Sequence, residues 1–233
     1  MTKITNMLWQ EEMPKEEAAI PQAIVDLVFD INCRCLPVDH AYALSQAISN
    51  ALPWFVQEAQ AGLHLILMAE SGSGWIRPES PDELLFLSRR TKLTLRLPQR
   101  RIAEAQALNG MTLEVAGYSI KVGNAKLKPF SKMPVLMAKY VIAHPDQDEE
   151  TFLETAVAEI QQKGIVCRKV LCGKTHRFKL PDGELFTRSL MIADLKPQES
   201  IILQEEGLGD GRKMGCGLFL PQKDIKPVRS KSE

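Results

Sequence analysis

The stretch Gly207-Leu208-Gly209-Asp210-Gly211-Arg212-Lys213-Met214-Gly215-Cys216-Gly217-Leu218-Phe219, running into Leu220-Pro221, is the point from which the rest of the chain is read. Its glycines let the backbone take left-handed angles and approach a partner closely, and Arg212 and Lys213 place two cations at its centre. That combination suits a phosphate. The Gly-x-x-x-x-Gly-Lys-Ser/Thr pattern of a nucleotide-triphosphate loop is missing, and the chain continues from Gly215 into a short apolar strand. From this segment alone, a glycine-rich surface turn with incidental charge is the plainer reading.

Working upstream, Pro197 to Glu206 reads as a short helix and Phe178 to Leu195 as a hairpin turning at Pro181-Asp182-Gly183. Ile165 to Leu171 reads as a strand. Glu149 to Gln162 reads as a helix, with Phe152, Leu153, Ala156, Val157 and Ile160 on one side, and Val135 to Ala143 as another strand. With the last strand at Cys216 to Leu220 the order is β-α-β-β-α-β.

Lys126 to Met133, with Pro129, is the expected linker. Before it the same order recurs. Val25 to Cys35 alternates apolar and polar residues as a half-buried strand. Ala41 to Ala51 has helical spacing behind Asp39 as N-cap and before Pro53. Leu63 to Ala69 and Leu84 to Leu97 are extended, and Ser71 to Pro81 is a loop carrying Trp75 and Arg77. Gln99 to Leu108 is helical, and Met111 to Val122 holds two strands about Ala116-Gly117. The expected fold is α+β: two tandem ferredoxin-like domains, residues 1–125 and 134–233 about a linker at 126–133, the second carrying the glycine-rich loop.

The 29 basic and 29 acidic residues cancel, which argues against an indiscriminate polyanion binder, but their placement is uneven. Residues 86–101 carry six Arg or Lys and no acid, and residues 121–139 carry five Lys and no acid. The five cysteines lack paired C-x-x-C spacing, so they read as reduced thiols rather than a disulfide framework or a structural zinc site. No segment has the length of a membrane span or the layout of a signal peptide, and a soluble cytoplasmic protein is expected.

Of the four histidines, His64 alternates with apolar residues in a strand, and His144 lies in an acidic loop. His176 lies in the basic run Lys174-Thr175-His176-Arg177. His40 falls at the first turn of the first long helix, where unpaired N–H groups favour an anion and a neutral imidazole. A general base needs that state; a capping or core role is the alternative. Arg89, Arg90, Lys92 and Arg96 surround one strand, and alternation sends Arg90, Lys92 and Arg96 to the same face. They are either a solvated edge or a phosphate track, which Lys121, Lys126, Lys128 and Lys132 extend. With 6% aromatic residues, stacking is not the main expected mode, and recognition by shape and backbone is favoured.

The ordered set Leu36-Pro37-Val38-Asp39-His40, Gly74-Trp75-Ile76-Arg77-Pro78, Leu87 to Pro98, Arg188-Ser189-Leu190-Met191 and the glycine loop resembles the CRISPR-associated repeat-RNA endoribonucleases, the Cas-six family in its MYXAN-like subtype, from about residue 24 to 225. The resemblance implies a metal-independent endoribonuclease. It would cut CRISPR precursor RNA within the repeat by 2′-hydroxyl attack, leaving 2′,3′-cyclic phosphate and 5′-hydroxyl ends, with no cofactor. It also implies a repeat-RNA hairpin as partner and other subunits of a type I surveillance complex. His40 takes the place of the family's catalytic histidine. The family's lysine has no counterpart in the following helix, so Tyr42, Arg34 and Arg89 are the candidate assisting groups. The expected RNA-binding residues are Arg89, Arg90, Lys92, Arg96, Lys174, His176, Arg177, Gly207, Gly209, Gly211, Arg212, Lys213, Gly215 and Gly217, with no metal ligands. A repeat-RNA binder that does not cut and a ferredoxin-like small-ligand regulatory domain are the rival readings.

Overall fold

The computed structural model describes residues 23–67, 80 and 83–222. Gly74 to Pro78, with Trp75 and Arg77, lie outside the described residues. In the first half, β1 (Ile24–Asn32) and β2 (Cys35–Pro37) lead into α1 (Ala41–Ala51) and the single turn α2 (Trp54–Gln57). Then come β3 (Gly62–His64), β4 (Leu84–Phe86) and β5 (Lys92–Pro98), and a broken helical stretch with α3 (Ile102–Ala105) at its centre. The hairpin β6 (Thr112–Val115) and β7 (Tyr118–Lys128) completes this half. The second half runs β8 (Leu136–Ile142), α4 (Glu149–Gln162), β9 (Lys169–Leu180), β10 (Gly183–Ala193), α5 (Pro197–Glu206) and β11 (Leu220–Pro221).

Every ladder is antiparallel. The first sheet has the order β3-β5-β1-β7-β6 and the second β11-β8-β10-β9, with β2 and β4 pairing separately as a two-stranded ribbon. If β2, β4 and the edge strand β6 are set aside, both halves place their first strand beside their third and fourth, with the second outside the third. On the inner face of the first sheet, Leu27 and Phe29 meet Leu93, Leu95 and Leu97 beneath Leu44, Ile48 and Phe55. Burying each such side chain stabilises by about 1.5–3 kcal/mol. In the second half Leu136, Ala138, Leu190 and Ile192 pack under Phe152, Ala156, Ile160 and Leu203.

Local chemistry sets the helix ends. Asp148 Oδ1 accepts the Thr151 N–H at 2.8 Å and caps α4. Pro197 opens α5, where Glu199 Oε2 accepts the Lys196 N–H at 2.8 Å. The segments expected to be extended are shorter or longer than their apolar runs. β3 spans three residues, and β7 continues to Lys128 because Val28 and Asp26 of β1 pair with Lys126 and Lys128. The expected linker therefore begins inside a strand. Of the expected last strand, Cys216 to Leu220, only Leu220 enters the ladder, joined there by Pro221, since five glycines with positive φ shape the chain before them. Among the described residues no helix is long and apolar enough to cross a membrane.

Candidate functional site

His40 occupies the residue before α1, where its carbonyl accepts the Leu44 N–H at 2.8 Å. Asp39, expected as the cap, instead uses Oδ2 to accept the Lys179 N–H of β9 at 2.7 Å, tying the start of α1 to the other half of the molecule. The imidazole is turned inward and is 2% exposed. Nδ1 lies 2.8 Å from the Pro37 carbonyl, and Nε2 lies 3.2 Å from the Ile66 amide nitrogen. A carbonyl can only accept and an amide N–H can only donate. The ring is therefore the neutral tautomer with its proton on Nδ1 and its lone pair on Nε2. Tyr42 is half-buried on α1 and Arg34 is exposed before β2.

The second half contributes an apolar cluster of Tyr140, Phe178 and Cys216 that includes Ala41, the first residue of α1. Burial pushes the Cys216 thiol up to about 12, so it behaves as a small hydrophobe. His176 is partly exposed, with its ring edge-on to Tyr140 at 5.2 Å between centroids. Lys174 and Arg177 are exposed on the same strand, and Arg177 pairs with Glu184 at 3.0 Å.

The helix-free face of the first sheet carries the basic residues. Registry puts Arg96, Asp26 and Lys128 in one row and Thr94, Val28 and Lys126 in the next, followed by Lys92 opposite Asp30. Lys92 and Lys126 are exposed, and Lys92 pairs with Asp30. Arg96 does not belong to an exposed track, because the second half covers it completely. Its Nε and Nη2 donate to the Asp26 carboxylate at 2.8 and 3.1 Å, and Nη1 donates to the carbonyls of Gln204 and Phe219 at 2.8 and 3.1 Å. Burial pushes the Asp26 carboxyl up, but the adjoining Arg96 and His64 outweigh it and hold that carboxyl well below the usual range. His64 Nε2 sits 3.5 Å from Asp26 Oδ1, and burial outweighs that carboxylate to lower the imidazole. Like His40, it is a histidine enclosed at the junction of the halves.

The cations of the glycine loop are likewise not presented to solvent as a phosphate cradle. Arg212 donates to the carbonyls of Glu205 and Gln60 at 3.0 and 3.2 Å and also to that of Glu206, and burial lowers its guanidinium to about 10. Lys213 Nζ donates to the Glu58 carbonyl at 2.9 Å. Glu159 accepts the Gly209 N–H at 2.8 Å, and the Tyr140 carbonyl accepts the Gly217 N–H at 2.7 Å. A Cβ on Gly215 would stand 2.7 Å from Leu65 Cγ, and one on Gly217 would collide with the Leu208 carbonyl. The loop is a clasp pressed against β3 and its continuation. Glycine composition gave its backbone freedom but not the identity of its partner.

The exposed Phe86, with its arginine neighbours on the ribbon, is a feature that sequence patterning hides. An aromatic among apolar residues reads as core by composition alone.

Two antiparallel sheets backed by helices and locked together by a glycine loop make a mixed α/β fold, and solved structures share it. A solved structure described as CRISPR associated protein Cas6 matches with a TM-score of 0.58 at 16% identity, over 86% of this chain and all of that one. Another, described as an RAMP protein binding different RNA substrates, matches with a TM-score of 0.56 at 14% identity, over 84% of this chain and 98% of that one. The chain belongs to the Cas6 family, whose model, described as Cas6 Crispr, matches residues 25–224. It is 29% identical over 206 residues to the CRISPR-associated endonuclease Cas6 of Myxococcus xanthus (strain DK1622), covering 88% of this chain and 85% of that protein.

Proposed function

We propose that this chain is an endoribonuclease that cuts the repeat of CRISPR precursor RNA without a metal, using two tandem ferredoxin-like domains joined after Lys128. Family membership supports the substrate class. The strand orders support the domain reading, because a β-α-β-β-α-β chain with its first strand between the third and fourth has the ferredoxin-like arrangement.

The observation that carries the chemistry is the His40 tautomer. A proton on Nδ1, held by the Pro37 carbonyl, leaves Nε2 as the basic atom and orients it at the start of α1. When the Ile66 N–H gives way, Nε2 takes the proton of the RNA 2′-hydroxyl. O2′ bonds to phosphorus and the bond to the 5′-oxygen breaks. That oxygen leaves with a proton from a general acid, giving 2′,3′-cyclic phosphate and 5′-hydroxyl ends. Arg34 and Arg89 are the groups proposed to offset charge on the phosphate, and the Tyr42 hydroxyl is the one proposed to protonate the leaving oxygen. Lys92, Arg90, Lys174, His176 and Arg177 supply contacts to the RNA. The product then enters a surveillance complex with other subunits.

The burial of His40 favours one second reading, a repeat-RNA binder that does not cut, because Nε2 is occupied in this conformation. Incubation of a labelled repeat hairpin in chelator, with and without a 2′-deoxy sugar upstream of the cut, separates the two. Cleavage that persists in chelator and stops with the deoxy sugar supports the enzyme. An intact ribose substrate, with or without chelator, supports the binder.

A further inference from the structure

The ribbon of β2 and β4 stands apart from both sheets. Leu36 and Leu85 pair across it, each 0% exposed, and pin it to the protein. Alternation then turns Cys35 and its partner Phe86 outward, leaving Phe86 61% exposed. A single exposed apolar side chain is ordinary. The rim around this one is not.

The Arg34 carbonyl accepts the Leu87 N–H at 2.9 Å, which puts Arg34 across from the residue after Phe86. The chain then turns at Ser88 to Thr91, closed by the Thr91 N–H on the Ser88 carbonyl at 3.0 Å. The Ser88 hydroxyl accepts the Arg90 N–H at 3.2 Å. This turn holds Arg89 and Arg90 at its two exposed corners. Among the described residues, the side chains of Arg34, Arg89 and Arg90 engage no carboxylate, carbonyl or ring. Every other described arginine does, from Arg96 on Asp26 to Arg188 on the Gln147 carbonyl and Arg212 on Glu205. The nearest acids in sequence are occupied, Asp30 by Lys92 and Glu83 by the Ser80 N–H at 3.0 Å.

We infer that the ribbon tip binds an unpaired nucleotide, its base stacked on Phe86 and its flanking phosphates held by Arg34, Arg89 and Arg90. A free aromatic face with unneutralised guanidinium groups on either side is the arrangement that holds single-stranded nucleic acid without reading its sequence. Resting on the proposed function, the inference specifies part of the substrate: a single-stranded flank beside the hairpin. The ribbon also adjoins the candidate catalytic ring, because β2 ends at Pro37, whose carbonyl holds His40 Nδ1, and the Val38 N–H is held by the Glu83 carbonyl before β4. A strand seated on the tip leads toward His40.

The test uses the full chain and two probes: a repeat hairpin with about six unpaired nucleotides on each side, and the same hairpin trimmed flush. Each is measured by fluorescence anisotropy, with 2-aminopurine in the flank to report stacking. Phe86→Ala should weaken the flanked hairpin by about 5- to 100-fold, abolish the 2-aminopurine quenching and leave the flush hairpin within about twofold. Phe86→Trp should restore both signals, and an unchanged melting temperature should accompany each variant. Equal losses on both probes, or no loss on the flanked one, overturn the inference. If the wild-type chain cuts RNA and Phe86→Ala changes nothing, this inference alone fails. If the wild-type chain binds neither probe, the proposed function fails with it.

Discussion

Removing the Arg96 guanidinium while keeping its apolar stem, as in Arg96→Met, tests whether the two halves are fastened by one buried ion pair. The substitution strips Asp26, which is 3% exposed, of two charge-assisted hydrogen bonds. It also leaves the Gln204 and Phe219 carbonyls without their donor. Breaking a buried pair from one side costs about 3–5 kcal/mol, because the remaining charge stays in a medium that solvates it poorly. For a chain of this length that is roughly 6–20 °C in Tm. Asp26→Leu combined with Arg96→Met removes both charges and should recover most of the loss, since the desolvation cost disappears with them. The pH dependence has a definite sign. A carboxyl whose folded-state pKa is depressed stabilises the fold above its unfolded value of about 3.9 and loses that contribution as pH falls through the folded value. The wild-type advantage over Arg96→Met should therefore be full at neutral pH and shrink below about pH 4. Urea titrations at pH 7 and pH 3.5 measure both effects. A single-variant loss under about 1 kcal/mol, or a double variant as unstable as the sum of the two singles, would refute the reasoning.

His40→Ala should bind a repeat hairpin normally and cut it at least about 100-fold more slowly in single-turnover assays; near-normal cutting would move the proton transfer to His176. Arg212→Ala with Lys213→Ala should lower stability while leaving the salt slope of RNA binding unchanged, since both cations are committed to backbone carbonyls. By contrast, Lys126→Ala should reduce that slope by about one if this exposed lysine meets phosphate. Glu199→Gln should destabilise at pH 7. The Arg168 hydrogen bonds outweigh burial and hold the Glu199 carboxyl at about 2, so its contribution is present above about pH 4.5 and lost as pH falls toward 2. An unchanged melting temperature at pH 7 would count against that assignment.

Much of the architecture was legible because it depends on local rules. The periodicity of Glu149 to Gln162 and the proline at position 197 set two helices whose bounds match the expectation, and Ala116-Gly117 and Pro181-Asp182 mark the two hairpins. The Leu63 run misled because burial beneath another unit makes an irregular segment as apolar as a strand.

At the candidate site the division is sharper. Alternation put Lys92 and Arg96 on one face of β5, while Arg90, expected on that face with them, lies in the turn before the strand; the spacing after Pro37 put His40 at the start of α1. Neither observation says what lies over that face. The folded chain lays the carbonyls of Gln204 and Phe219 on Arg96 and the amide of Ile66 on His40, from 123 to 26 residues away in sequence. Periodicity reports the direction of a side chain relative to its own strand or helix, whereas exposure depends on which distant backbone meets it. Sequence alone therefore determined the elements and the polarity of their faces. Tertiary packing decided which of the charged residues remained free to meet a ligand.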